Sequence, residues 1–580
     1  MKNKMKYKMK YKIRYLSLSV FLFAAIGGLG WRVISLHVIN HTFLRQQGEM
    51  RTVRVVNVPA YRGMITDRFN EPLAISTPVA SIWLNPKEFN PEHPELLTLA
   101  SVLDLSLEDI LDKYSRNTHR EFVYLQRHVA PQIAAKVQTL AIPGLHLKSE
   151  YRRYYPYGEV TAHVLGFTNV DDHGQEGLEM AFDNWLSGTA GAKRIIRDRL
   201  GREVQMLEGI KDMRSGQDVA LSIDQRIQYL AYRELKAAVN RHQAGSGSAV
   251  VLDVKTGEIL AMVNQPSFNP NMRIKFNEGA FRNRAVTDVF EPGSVMKTFS
   301  ITSALQAGIV TPATMVDTAP GWMTVGGHLV KEVKNKNYGL INVSAILQKS
   351  SNVGVSKLVL SMPAERLWSL YSGIGFGSNT GSGFPGESSG TLVRPPKNGS
   401  FVLATLAFGY GLSVTPLQLA QAYAILGAEG VKRPVTFLKQ NGVVEGQRVI
   451  EPHVARQVLD MLKTVVTEGS GKKAQVLGYQ IAGKTGTAQK VNFDGGGYHE
   501  GSHIAVFAGL APASHPRFAI VIMIDDPKGE EHYGSQVAAP VFSKIASGAL
   551  RLYNIPLDLR DLQSIQVAKK EEEAELSLHE

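Results

Sequence analysis

Ser294 and Lys297 stand three residues apart, directly after Pro292-Gly293 and at the head of an apolar helical pattern that runs to Gly308. A spacing of three puts both side chains on one helical face, about one turn apart. An amine that close takes the serine proton if burial or a neighbouring cation lowers its pKa from about 10.4. That is the logic of a nucleophile activated by an adjacent base. Two further clusters offer matching chemistry. In Ser350-Ser351-Asn352, ahead of the helix-like stretch Val353 to Leu360, Ser350 supplies a hydroxyl to relay a proton and Asn352 an amide to bind a peptide carbonyl. Lys484-Thr485-Gly486-Thr487 reads as strand. The Lys484 ammonium and the Thr485 and Thr487 hydroxyls suit a substrate carboxylate, and Gly486 lets a substrate approach the backbone.

Other short patterns match by accident. His499-Glu500-Gly501-Ser502-His503 has the zinc-protease spacing H-E-x-x-H, but that chemistry needs both histidines on one helix, and glycines surround and interrupt it. Gly478 to Thr485 fits a P-loop, yet Gly486-Thr487 is a poor start for the helix that must follow. Gly386-Glu387-Ser388-Ser389-Gly390 fits G-x-S-x-G without a strand before or a helix after it. Ser470-Gly471-Lys472-Lys473, Ser267-Phe268-Asn269 and Lys255-Thr256-Gly257 repeat the pair, the triplet and the K-T-G in loop, post-proline and hairpin contexts. Asp171-Asp172-His173 reads as a solvated turn rather than a metal site. No metal or organic cofactor is called for.

The elements that must position the three clusters are legible in outline. Ala249 to Leu252, a turn at Asp253 to Glu258, and Ile259 to Val263 read as a β-hairpin. Helical patterns cover Ser294–Gly308, Val343–Leu360 and Pro416–Gly427, and Ile504–Ala508 and Phe518–Ile524 read as buried strands. Strands at both ends with helices between them predict an α+β unit whose terminal strands share one sheet.

The chain has 580 residues, 44% hydrophobic and 20% charged, which is globular material for roughly two to four domains. It contains no cysteine, which excludes disulfides, thiol nucleophiles and cysteine-ligated metal centres. The net charge of +12 is concentrated at the start, where Lys2, Lys4, Lys6, Lys8, Lys10, Lys12 and Arg14 precede the uncharged run Tyr15 to Trp31. That placement argues for a membrane anchor with a cytoplasmic N-terminus rather than for nucleic-acid binding. The expected organisation is a basic tail 1–14, an anchor 15–39, an elongated domain 40–240, a catalytic domain 241–555 and a polar, mobile tail 556–580.

The three clusters, in this order, are the signature of penicillin-binding proteins and class A β-lactamases. Arg62 to Arg68 followed by Pro72-Leu73-Ala74, the stretch Gly174 to Glu179, and Ala407 to Pro416 extend the similarity. From the anchor to about Leu552 the chain resembles class B penicillin-binding proteins of the division-specific branch. The resemblance implies a single transmembrane helix, a pedestal domain and a transpeptidase domain with the serine β-lactamase-like fold. It implies a septal D,D-transpeptidase of the inner membrane that cross-links peptidoglycan stem peptides. Ser294 would be the nucleophile, Lys297 the base, Ser350 the relay and Asn352 the holder of Lys297 and the donor peptide. Lys484, Thr485 and Thr487 would bind the terminal carboxylate, and β-lactams would acylate Ser294. The implied division partners are FtsW and the FtsQ–FtsL–FtsB complex. Glu71 departs from the family's usual glycine.

The alternatives are an elongation-type enzyme of the same class and a non-catalytic penicillin-binding scaffold or sensor. A β-lactamase would leave the anchor and pedestal unexplained. Here Ser351 also stands in place of the Asp of the class A triplet, and no general-base Glu motif is evident.

Overall fold

Strands Ser246–Asp253 and Ile259–Gln265 are buried at every position. Such strands carry apolar residues on both faces, so their sequence lacks the alternation of a half-exposed strand. In the computed structural model, which describes residues 2–197, 203–272, 278–396, 399–491 and 496–558, this hairpin joins three C-terminal strands. The antiparallel sheet runs Ile259–Gln265, Ser246–Asp253, Phe518–Asp525, Tyr498–Ala511, Ala482–Val491. The expected union of terminal strands in one sheet is what forms. Alternation sends Val250, Leu252, Val506 and Val521 to one core and Ala249, Val251, Phe507 and Ile522 to another. The second core is closed by helices Gln225–Arg241 and Ala539–Leu552.

The first core holds the helices that matter for chemistry. Helix Lys297–Gln306 is buried along nearly its whole length, and its polar residues are matched inside. Thr298 Oγ1 meets Tyr423 Oη at 3.0 Å, and Ser300 Oγ donates to the Ala407 carbonyl at 2.6 Å. Helix Pro416–Gly427 has the bounds its pattern predicts and opens with a capping box between Thr415 and Gln418. The helical pattern Val343–Leu360 is divided into Val343–Lys349 and Asn352–Leu360. Between them Ser350 adopts a left-handed conformation, φ 59° and ψ 42°, and Ser351 caps the second helix through the Gly354 amide at 2.8 Å. Apolar periodicity continues across the break, whereas three small polar residues in a row favour turn and cap over helix interior.

The chain divides into two compact units that interleave in sequence. One comprises Met1–Tyr61, Pro78–Tyr151 and Gly188–Ser215, and the other Arg62–Thr77, Arg152–Ser187 and Gly216–Glu580. In the first, Lys4–Ile39 is a helical stretch long and apolar enough to cross a membrane, with mean hydropathy 1.7 in its most apolar window. The same unit has a small core of Ile82, Leu84, Leu99, Ile110 and Val137 under three helices, Leu96–Leu103, Leu107–Ser115 and Pro131–Thr139. In the second unit Arg62 and Arg153, both buried, converge on buried Glu179 at 2.7 and 2.6 Å, and Arg62 also reaches Asp183 at 2.6 Å. The sequence stretches around Arg62 and Gly174–Glu179 therefore meet in one ion cluster. The C-terminal tail lies outside the described residues from 559 onward.

Candidate active site

Gly293–Met296 forms a tight 3₁₀ turn, and the Lys297 N–H donates to the Ser294 carbonyl at its end. This turn fixes Ser294 and Lys297 one above the other. Ser294 remains partly exposed, whereas Lys297 is fully buried. The Lys297 Nζ donates to the Ser350 carbonyl at 2.5 Å and to Asn352 Oδ1 at 2.6 Å, and it meets Ser350 Oγ at 3.1 Å. The left-handed turn at Ser350 is what presents that carbonyl and hydroxyl to one amine. Asn352 Nδ2 donates to the Lys331 carbonyl at 3.0 Å, so its Oδ1 must face Lys297.

The third cluster arrives on strand Ala482–Val491, at the edge of the sheet. Lys484 is fully buried, and its Nζ donates to Ser350 Oγ at 3.0 Å and to the Thr485 carbonyl at 3.2 Å. One hydroxyl oxygen thus touches both lysines. Thr487 Oγ1 accepts the Gly534 N–H at 3.0 Å. Gly486 has a packing reason to be small as well. A Cβ there would stand 2.8 Å from the Pro292 carbonyl oxygen and 3.1 Å from Val295 Cγ1, against the turn that carries Ser294. Behind that turn Gly409, φ 88°, packs where a Cβ would lie 2.1 Å from the Gly293 carbonyl oxygen. The stretch Ala407 to Pro416 therefore backs the turn that carries Ser294.

Burial, then the nearby Lys484 charge, pushes the Lys297 amine well below its usual range, with Glu332 opposing. Burial alone brings Lys484 down to about 7. Two ammonium groups on one hydroxyl repel, so Lys297 is the member that gives up its proton. A neutral amine has two hydrogens, and the two carbonyl oxygens claim both. Its lone pair is then left for the side of the Ser350 hydroxyl.

The decoys separate on geometry. His499 and His503 lie on strand Tyr498–Ala511, where residues four apart are ~13 Å apart, too far for a shared ion. The apparent P-loop runs into the edge strand, with its lysine turned onto Ser350.

The whole chain also has relatives. Residues 247–547 match the penicillin binding protein transpeptidase domain, and residues 57–221 match the penicillin-binding protein dimerisation domain. The peptidoglycan D,D-transpeptidase FtsI of Escherichia coli is 45% identical over 93% of this chain and 91% of its own length. The chain is a class B penicillin-binding protein. The probable peptidoglycan D,D-transpeptidase PbpC of Pseudomonas aeruginosa is 41% identical to this penicillin-binding protein over 94% of the chain and 95% of the relative. Penicillin-binding protein 3 of Mycobacterium tuberculosis complexed with aztreonam has a similar structure. Its TM-score is 0.66 at 29% identity, covering 87% of this chain and 98% of that one.

Two residues of this penicillin-binding protein enter the site without a motif of their own. Glu332 is 2% exposed and lies against Ser351, Asn352 and Val353. Ser470, from the loop that imitates the nucleophile–lysine pair, places its Oγ 2.7 Å from Thr485 Oγ1. No local signal marks Glu332, and the pattern around Ser470 points to a different chemistry, because each is brought in from a separate loop.

Proposed function

We propose that this penicillin-binding protein is the septal peptidoglycan D,D-transpeptidase and that it works through an acyl-enzyme on Ser294. The observation that carries the reading is Lys297, buried, held by two carbonyl acceptors and paired through Ser350 Oγ with Lys484. Ser294 Oγ attacks the penultimate D-Ala carbonyl of a stem pentapeptide, and its proton goes to Lys297. Lys297 passes that proton through the Ser350 hydroxyl to the leaving nitrogen, the C–N bond breaks, and D-Ala departs. Lys484, Thr485 and Thr487 hold the terminal carboxylate. The backbone N–H groups of Ser294 and Thr487 take the oxyanion, a kind of contact worth about 10²–10³ in rate. The amine of a neighbouring strand then attacks the ester, forms the cross-link and returns the proton to Ser294.

The carboxylate whose charge acts on Lys297 supports transfer over hydrolysis. Glu332 is taken up by the Ser351 hydroxyl and two backbone N–H groups and is not free to activate a water on the ester. The chain is a membrane-anchored division protein by family and by its apolar N-terminal helix. In the finer reading its basic leader stays in the cytoplasm and the rest works outside the inner membrane at the septum, beside FtsW and the FtsQ–FtsL–FtsB complex.

The test is the intact mass of the detergent-solubilised full chain, followed for hours after benzylpenicillin is added. A lasting one-to-one adduct, lost in Ser294→Ala, is expected. An adduct that disappears within seconds would mark a hydrolase, and its absence from folded protein would leave a scaffold.

A further inference from the structure

Asn352 does its work only if its amide oxygen faces Lys297, and the structure shows what holds it there. Hairpin Trp322–Val325/His328–Lys331 leads into Glu332, whose N–H is tied back to the Gly321 carbonyl at 2.9 Å. The Lys331 carbonyl takes the Asn352 side-chain N–H. The Glu332 carboxylate, 2% exposed, takes the Asn352 backbone N–H at 2.7 Å, the Val353 N–H at 3.2 Å and the Ser351 hydroxyl. One turn thus grips Asn352 at both its side chain and its backbone, from a loop 20 residues away in sequence.

We propose that Glu332 is a positioning residue of this catalytic site, holding Asn352 in place and presenting its negative charge to the buried lysine that Asn352 binds. The inference rests on the reading of Lys297 as the base. Ser351 fits the same account: its hydroxyl donates to Glu332 while accepting the Gly354 N–H. An aspartate at 351 would set two carboxylates face to face.

The charges around Glu332 come from several elements. Lys297 lies on the nucleophile helix, Lys484 on the edge strand beyond Ser350, and Lys331 and Lys334 on Glu332's own turn. The Tyr338 phenol is raised by burial and by Glu332. Glu332 opposes the two effects, burial and Lys484, that strip Lys297 of its proton. Replacing the carboxylate by an amide removes that opposition, so Lys297 loses its proton at still lower pH. An amide also turns an N–H₂ towards groups that are themselves donors, which loosens Asn352.

The experiment measures the rate constant for acylation of the full chain by a fluorescent penicillin, as a function of pH, with folding checked by thermal denaturation. Glu332→Gln is expected to acylate about 10²-fold more slowly, as for a misplacement on the ångström scale. Its acid limb should move to lower pH, because the charge that opposes deprotonation of Lys297 is gone. A role confined to holding the helix would slow the reaction and leave that limb in place. Glu332→Asp keeps the charge one methylene shorter. It should keep the wild-type limb and still acylate more slowly, which also covers a glutamine variant that fails to fold. Wild-type rate in the aspartate variant, or an unmoved limb in the folded glutamine variant, overturns the proposal. Ser294→Ala run in parallel separates the two levels: adduct surviving there sinks the site itself, not only the role of Glu332.

Discussion

Ser350 Oγ is the atom on which the proposed chemistry turns, because both lysines reach it within 3.1 Å. The pair titrates as a unit, with Lys297 losing its proton first and Lys484 keeping its own to about pH 7. Acylation requires Lys297 neutral and Lys484 charged. Raising the pH therefore first increases the rate, as Lys297 deprotonates, and then decreases it as Lys484 does. For benzylpenicillin, whose carboxylate Lys484 is proposed to bind, the rate constant should fall above about pH 7. In Lys484→Arg the guanidinium stays charged, so that alkaline limb should vanish. A limb that persists in the arginine variant would assign it to another group. The pairing of Ser294 with Lys297 was readable from spacing alone, since a one-turn separation is a local property. Glu332 and Ser470 were not, because each reaches the site from a distant loop.

At the scale of elements, the site is a seam between the 3₁₀ turn Gly293–Met296 and the edge strand Ala482–Val491. Gly486 sets how closely the two approach, with the Pro292 carbonyl filling the space of its missing side chain. Gly486→Ala should cost about 1–3 kcal/mol in urea unfolding, the usual penalty of overpacking, and should slow acylation. Unchanged stability would show that the turn yields freely. The break at Ser350 belongs to the same scale. Apolar periodicity runs unbroken from Val343 to Leu360, and only the cluster Ser350-Ser351-Asn352 marks where the helix stops. The left-handed residue at the break is held by tertiary contacts with two lysines from other elements.

Across the molecule, the catalytic unit gathers segments from widely separated parts of the chain. Arg62–Thr77 and Arg152–Ser187 belong with the residues from Gly216 onward. Their anchor is Glu179, fully buried between Arg62 and Arg153. Breaking a buried ion cluster by removing one partner leaves uncompensated charge, so Glu179→Ala should lose about 3–5 kcal/mol in urea unfolding. A loss near zero would mean that water reaches the arginines.

Charge placement and an uncharged run were enough for the apolar N-terminal helix, and three short clusters in order were enough for the resemblance to penicillin-binding proteins. Each of these depends on residue type at short range: a turn of helix, a run of apolar residues, a block of cations. The sequence also foretold that the first and last strands share a sheet, because strands buried on both faces read as continuous apolar runs. Tertiary structure alone decided which carboxylate lies under Asn352, which loop hydroxyl touches Thr485 and why Gly486 must be glycine. It also decided that Arg62 and Glu179 fold with the catalytic core. Those are contacts between residues far apart in the chain, and no local pattern encodes a partner that packing alone brings near.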